Sequence, residues 1–579
     1  MGKTFRAYSL TIFAICVLGL LGSAAYGQDK DGDYHRGIVQ DWSGHHVAYA
    51  RFGPLKSLLA AQEDPRAIDA WQAAFRKDWN RWKHQGPRTE TTEHRDWSIG
   101  LGTGSTAASM YPAKYNFSPT ATPDCTNDYV VFPVNVAGTS SQPNIVAFNN
   151  LYSGTTPANG ICNRTAVFGV DSGTAATTLW SYAVQGITGG GSVATSPSLS
   201  LDGKKVVFVE TLTGNPAHFH VLAWRSGDGQ ASNLQSVTTP KVITTFSSTA
   251  PVATGSSGAA TDLVLGSTTD TLSSPFVDFA HDWAYVGNDT GTLFRVKDVF
   301  CTSNSACSGG TPPAPSLDTT WGSGGGLATG CSGKLASPVR DSVTGNIFVG
   351  CSDGKLYGFT PSGGSLAHSP LAVGDGTAVG GIVDPPMIDA VNGFVYVTSV
   401  SSSVEVVVQA STTDLSGART ATLGAGSFSM HAADFNDAYF SSGTSTNWLL
   451  YDMGLNAGGT QIVLYGVGFG AGHVMDTGTP ADSFAVSGST PAEFSPVTEF
   501  LNGTTDQLFV SGLLNSTNFL EFNISTFPGG IAAFASEGTL GTSGIVIDNS
   551  SASSQASSMY FGTLGGTDTA VKLTQNGLN

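Results

Sequence analysis

Charge is scarce in this chain. Asp, Glu, Lys and Arg supply only 12% of its residues, against about 25% in ordinary globular domains. Long solvent-facing helices, which lean on Glu and Lys, are therefore not its main building material. Positive charge is scarcer still, with 26 Lys and Arg facing 43 Asp and Glu for a formal charge of −17. No basic cluster offsets this. An acidic surface repels phosphate backbones and anionic lipid, which argues against nucleic-acid binding. Cysteine is sparse, with 7 in all; no CxxC and no adjacent Cys–Cys occurs, and no His stands at zinc-ligand spacing from any of them. Beyond residue 22 no apolar run approaches the roughly 20 residues of a membrane-spanning helix, so no transmembrane segment is expected in the mature chain.

The signatures of common chemistry are missing as well. There is no GxxxxGK[ST], no HExxH and no GxSxG, which removes the standard phosphate loop, the zinc protease helix and the nucleophile elbow. GVGFGAGH (466–473) has alternating glycines but does not join a strand to a helix as a dinucleotide fingerprint must. DKDGD (29–33) imitates a calcium loop, yet its Gly falls at the fourth position and Gln40 stands where the loop needs Glu; calcium held elsewhere in the loops stays open. His218 and His220, two apart on a strand, share one face that a metal could use, but no third ligand is identifiable in the sequence. His281, His431 and His473 fall in separate repeat units, with no Ser/His/Asp grouping among them. No catalytic, cofactor-binding or metal-ligating residue is assigned.

What is present starts with an address. Lys3 and Arg6, an apolar run from Leu10 to Gly22, and the small residues Ser23, Ala24, Ala25 and Gly27 read as a signal peptide over 1–27. Cys16 lies inside that run, which leaves Cys125, Cys162, Cys301, Cys307, Cys331 and Cys351 in a chain expected to be secreted, extracellular or periplasmic. An even cysteine count in an exported chain favours disulfides, and proximity pairs Cys125–Cys162, Cys301–Cys307 and Cys331–Cys351.

A repeat occupies most of the rest. SPSLSLDGKKVVFVET (196–211), SPFVDFAHDWAYVGND (274–289), SPVRDSVTGNIFVGCS (337–352) and DPPMIDAVNGFVYVTS (384–399) each run from Pro through a polar turn to an aromatic-led strand. The steps are Pro197 to Phe208, Pro275 to Tyr285, Pro338 to Phe348 and Pro386 to Tyr396. Looser copies lie at 118–134, 430–443 (with Tyr439-Phe440 as its strand), 495–512 and 543–563. Second strands of alternating character follow, such as HFHVLAW (218–224) and KLYGF (355–359). Units of several short antiparallel strands predict an all-β fold, a β-propeller of eight blades with seven as the alternative. The propeller is expected over 96–579, closed by a strand near 96–102 that completes the last blade.

Residues 28–95 read as an N-terminal extension. Within it Ile68, Trp71, Phe75, Trp79 and Trp82 mark an amphipathic helix over about 64–83, opened by Asp64-Pro65. QDWSGHH (40–46) echoes HRDWSIG (94–100) as if both were edge strands.

KLYGFTPSGG (355–364) and TGTLFRVKD (290–298) resemble the DGxLYAFD strand of pyrroloquinoline-quinone-like propeller repeats, and LSLDGKKVVFV (199–209) resembles the strand of TolB-like propellers. RDWSIGLG (95–102) and NIVAFNNLYSG (144–154) are similar to segments of uncharacterised secreted proteins of Acidobacteria-type bacteria. The resemblance implies a propeller and leaves the activity open, because propellers host many activities. Of the quinoprotein docking motif only GVDSGTAATTLW (169–180) comes close, with Asp171 and Trp180 in place, which argues against bound pyrroloquinoline quinone. The expected function is a non-catalytic binding or scaffold module for an extracellular protein or glycan, with ligands at the channel mouth among the long loops near 226–240, 301–330 and 473–493. The alternative is a propeller enzyme, a quinone-dependent oxidoreductase or a glycan-active hydrolase or lyase. The oligomeric state is left open.

Overall fold

The computed structural model describes residues 36–49, 64–67, 93–118, 122–152, 162, 176–231, 233–253, 257–269, 271, 273–301, 312–322, 324–441, 445–486, 494–502, 505–514, 517–525, 531–535, 541–548, 556, 558–564 and 569–575. Eight sheets form among them, each built mainly from consecutive antiparallel strands, and together they make an eight-bladed β-propeller. The seven-bladed alternative is set aside. Each Pro-to-aromatic repeat places its short first strand at the axis and its aromatic run beside it. Phe276–Asp278 with Trp283–Gly287 opens blade 3, and Met387–Asp389 with Phe394–Ser401 opens blade 5.

Side-chain alternation along each strand explains how the blades stack. Successive residues of a strand point to opposite faces, so one strand serves two interfaces. In blade 2, Val206 and Phe208 pack on blade 1 with Trp180 and Tyr129, while Val207 and Val209 pack on blade 3 with Val277 and Val286. In blade 7, Leu508 and Val510 face Met453 and Leu464 of blade 6, and Phe509 faces Met559 and Phe561 of blade 8. A four-stranded sheet has two apolar faces and no interior; the ring covers both.

The ring is closed by Glu93–Gly100, which pairs antiparallel with Thr569–Gln575 as the outer strand of blade 8. The sequence puts a closing strand near 96–102; this strand spans Glu93–Gly100. A bulge at Asp96 turns its carboxylate inward, where it meets the Lys572 ammonium at 2.5 Å and the Thr574 hydroxyl. Lys572 and Lys114 both lie over the Tyr152 ring, and Lys114 pairs with Asp548 at 3.2 Å. A buried ionic network therefore sits on the seam between the last blade and the first.

Several expectations are corrected. The 430–443 copy does not use Tyr439-Phe440 as a strand: they lie in a short helix, Asp437–Ser441, and the second strand of blade 6 is Leu449–Leu455. The paired hydroxyls of Tyr396 and Tyr439, and the Tyr439 bond to Asp389, hold that helix against blade 5. QDWSGHH is no edge strand either; Trp42–His46 is one turn of helix capped by Asp41. Ile38–Gln40 and Val47–Ala48 belong to blade sheets, so the propeller's sheets recruit residues well before 96. Of the 64–83 helix only its start, 65–67, lies within the described residues. Cys125–Cys162 and Cys331–Cys351 are bonded, with Cα atoms 5.5 and 6.0 Å apart. Cys301 is also in a disulfide, and Cys307 lies outside the described residues, as do DKDGD and Asp171.

Candidate functional site: the axis and its plug

The first strands of the eight blades line the axis, where a propeller is ordinarily hollow. Here the chain's own residues 36–49 cross it. Ile38–Gln40 pairs antiparallel with Ala113–Asn116, the inner strand of blade 1. Gly37 opens this strand, and its backbone approaches so closely that a Cβ would stand 2.4 Å from the Asn116 carbonyl oxygen and 2.5 Å from the Tyr115 ring; only glycine fits. The Asp41 carboxylate then accepts from the Ser43 N–H at 3.0 Å and starts the helical turn. Val47–Ala48 finishes the crossing parallel to Met387–Asp389 of blade 5. Blade 5 faces blade 1 across an eight-membered ring, so the segment spans the axis along a diameter.

Its side chains reach the blades it passes. Trp42, fully buried, meets the Phe276 ring of blade 3 edge-on. The His45 Nε2 lies 2.5 Å from the Val497 carbonyl before blade 7 and 3.5 Å from Asp434 of blade 6. His46 packs against Tyr111 and is pressed down to a pKa of about 3 by burial and the neighbouring His45, with Asp384 acting the other way. Gly37 donates to the Leu201 carbonyl of blade 2. Residues 64–67 add a second layer: the Arg66 guanidinium donates to the Val277 carbonyl and the Ser43 hydroxyl, both at 2.8 Å, and lies over Phe276 and Phe279. The Tyr49 hydroxyl donates to Asp64 at 2.7 Å.

The carboxylates near the axis are engaged in holding backbone. Asp384 lies 3.1 Å from His431 and accepts from the Ala432 N–H; Asp434 accepts from the Glu499 N–H at 2.7 Å. Against the burial that would raise it, His431, His46 and the Ala432 N–H hold the Asp384 carboxyl below the usual carboxylate range. This arrangement can fix neighbouring blades to one another. It places packed side chains of this segment across the axis; ligands were expected at the channel mouth.

The described parts of the long loops expected at the channel mouth lie along outer strands. Residues 226–231 and 233–240 run along the outer edge of blade 1, where Gly227 and Asp228 bond Leu179 and Ser181, and the chain continues into Lys241–Ile243, parallel to Tyr182–Val184. The described part of 301–330 supplies Ser316–Leu317 and Gly326–Ala328, outer strands of blade 3. Gly478, after His473, bonds Thr420 and Thr422 on the outer strand of blade 5. An outer edge strand exposes a row of unpaired N–H and C=O groups, and these loops cover it.

Sequence-singled residues are dispersed accordingly. His281 pairs with Asp278 at 2.8 Å in blade 3. His431 and His473 fall in the same unit, blade 6, contrary to the reading that separated them: His431 stands at Asp384, and His473 stacks on Trp448 at 3.9 Å. Trp180 of the quinoprotein-like motif is core, stacked on Trp224. His218 and His220 do share one face, and the fold brings Asp262 and Glu210 to them. Asp262 was missed because it is 42 residues from His220 along the chain and reaches it only through strand pairing. The plug had one legible signal, the Asp-capped WSGHH turn, but nothing local says what such a turn packs against.

No protein-family model matches the chain, and no curated protein matches it. Among solved structures it is similar to BamB from Moraxella catarrhalis, at 12% identity and a TM-score of 0.41 over 83% of this chain and 100% of that one. It is similar to Sqt1 of Saccharomyces cerevisiae at 10% identity and a TM-score of 0.43, over 83% and 99%. The WD40 β-propeller domain of Doa1 follows at 9% identity and 0.33, over 73% and 94%. The chain's own strand pairing makes it an eight-bladed propeller whose axis is crossed by its own N-terminal residues.

Proposed function

We propose that the protein is an exported, non-catalytic propeller that serves as a binding or scaffold module for an extracellular protein or glycan. The observation that carries this reading is the plug: residues 36–49 bridge opposite blades and fill the axis, the place where a propeller would otherwise take a small substrate. A filled axis favours a rigid body that meets its partner with surface loops. Disulfides support an oxidising compartment, and the low charge suits a surface of short polar turns. The partner is met by the loops over the outer edges of blades 1, 3 and 5.

The mature chain from residue 28, applied to a glycan array and to a panel of secreted bacterial proteins, tests this. Saturable binding that leaves the ligand chemically unchanged is the expected outcome. Turnover of a bound glycan or oxidation of an alcohol substrate, lost on Asp384→Asn, would place chemistry at the axis and overturn the reading, as would failure to bind either class.

A further inference from the structure

Blade 2 holds a cluster that neither the plug nor the scaffold reading uses. The strand Pro216–Ala223 carries His218 and His220 on one face. Its outer neighbour is broken in two: Leu263–Thr269 pairs with the first half, and Ala259–Ala260 with the second. Thr261 and Asp262 form the break. Thr261 is pinned there by its N–H on the Val221 carbonyl at 3.0 Å and its hydroxyl on the Val221 N–H at 3.3 Å. The break turns the Asp262 carboxylate onto the histidine face, with Oδ1 at 2.7 Å from His218 Nδ1 and 3.8 Å from His220 Nδ1. The Thr261 carbonyl oxygen lies 2.9 Å from the same His220 nitrogen.

These separations are those of ligands around one ion. Two donors each about 2.1 Å from a metal stand roughly 3 to 3.4 Å apart, and the observed distances bracket that range. The other His220 nitrogen, Nε2, is 3.1 Å from Glu210. Glu210 is fully buried and held by the N–H groups of Gly186, Ile187 and Gly191 at 2.7, 3.0 and 2.5 Å. A metal-ligating histidine characteristically gives its second N–H to such a fixed carboxylate, which orients the ring.

A glycine keeps the space beside the cluster clear. A Cβ on Gly186 would fall 2.6 Å from His220 Cε1, 2.9 Å from Asp262 Oδ1 and 2.9 Å from His218 Nδ1. Gly186 is absent from the positive-φ glycines, so room, and not backbone conformation, is what a side chain would take away.

We propose that blade 2 binds one divalent transition-metal ion, ligated by His218, His220 and Asp262, with the Thr261 carbonyl as a further oxygen donor and Glu210 as the positioning carboxylate. On binding, His220 exchanges its Nδ1 proton for the ion. Two imidazoles with oxygen donors select zinc or a neighbouring transition metal over magnesium and calcium. The alternative is a clamp of hydrogen bonds with no ion, and the two differ in a measurable way.

The tag-free mature chain, stripped with chelator, is titrated with Co²⁺ while visible absorption is followed, and then with Zn²⁺ and Mg²⁺ while thermal unfolding is followed. One equivalent of Co²⁺ should produce ligand-field bands that Zn²⁺ erases, and Zn²⁺ but not Mg²⁺ should raise the unfolding midpoint in a concentration-dependent way. His218→Ala and Asp262→Asn should each abolish the bands, and Glu210→Gln should keep them with affinity about 10- to 100-fold weaker. Asp262→Asn nearly preserves shape and guards against simple misfolding, which circular dichroism checks. Folded wild-type protein with no stoichiometric cobalt bands, or bands unchanged in the folded Asp262→Asn variant, would overturn the proposal.

Discussion

Two buried ionisable side chains set opposite demands on solvent pH. Glu405, in the blade 5 strand Val404–Ser411, accepts from the Leu455 N–H of blade 6 and is pushed up to about 9, chiefly by burial and then by Asp452. The fold therefore holds it protonated at neutral pH, whereas the unfolded chain ionises it near 4.5. Its contribution to stability is complete below that value and is lost as pH rises toward about 9, with a slope of up to about 1.4 kcal/mol per pH unit. Glu405→Gln keeps the acceptor and removes the proton, so urea titrations should show a flatter decline between pH 5 and 9 and a variant more stable than wild type at the alkaline end. His46 behaves in the reverse sense. Held neutral in the plug with a pKa of about 3 against 6.5 unfolded, it contributes stability that is present above the unfolded value and lost as pH falls toward 3. His46→Phe should flatten the acid limb of the same titration; an acid limb identical to wild type would mean that the plug does not bury this ring.

Among the elements, the closing strand depends most on a polar contact. Its Trp97 and Ile99 enter the apolar interface between blades 8 and 1, as any strand of this ring does. Asp96, at the bulge, instead meets Lys572 inside the protein. Removing one partner of a buried ion pair leaves an uncompensated charge and costs about 3–5 kcal/mol. Lys572→Met should destabilise by that order. A double-mutant cycle with Asp96→Leu should return a coupling well above the few tenths of a kcal/mol of independent sites. Additive effects would show that the seam closes by apolar packing alone.

Across the whole molecule, two separate stretches of the N-terminal region hold the ring, one at the axis and one at the seam. Truncation separates their roles. A chain beginning at residue 64 loses the plug but keeps the closing strand, and should unfold cooperatively at a lower temperature. A chain beginning at residue 101 also loses Glu93–Gly100, leaves blade 8 without its outer strand, and should lose the single cooperative transition in calorimetry. Equal melting of the two truncated chains would contradict this division.

The architecture was legible because it is written in local spacing. Pro197 to Phe208, Pro338 to Phe348 and Pro386 to Tyr396 repeat one strand–turn–strand unit, and alternation within each strand states which two neighbours it must cover. Where the local signal was composition without alternation, as at Tyr439-Phe440, helix displaced the expected strand. The sequence by itself thus determined the repeating unit and the propeller class, and left eight or seven blades open. Only the tertiary structure decided that residues 36–49 cross the axis, that described parts of the long loops lie along outer strands, and that Asp262 meets His218 and His220. Those contacts join residues far apart along the chain, and packing selects such partners by shape and unmet hydrogen bonds that no short stretch of sequence contains.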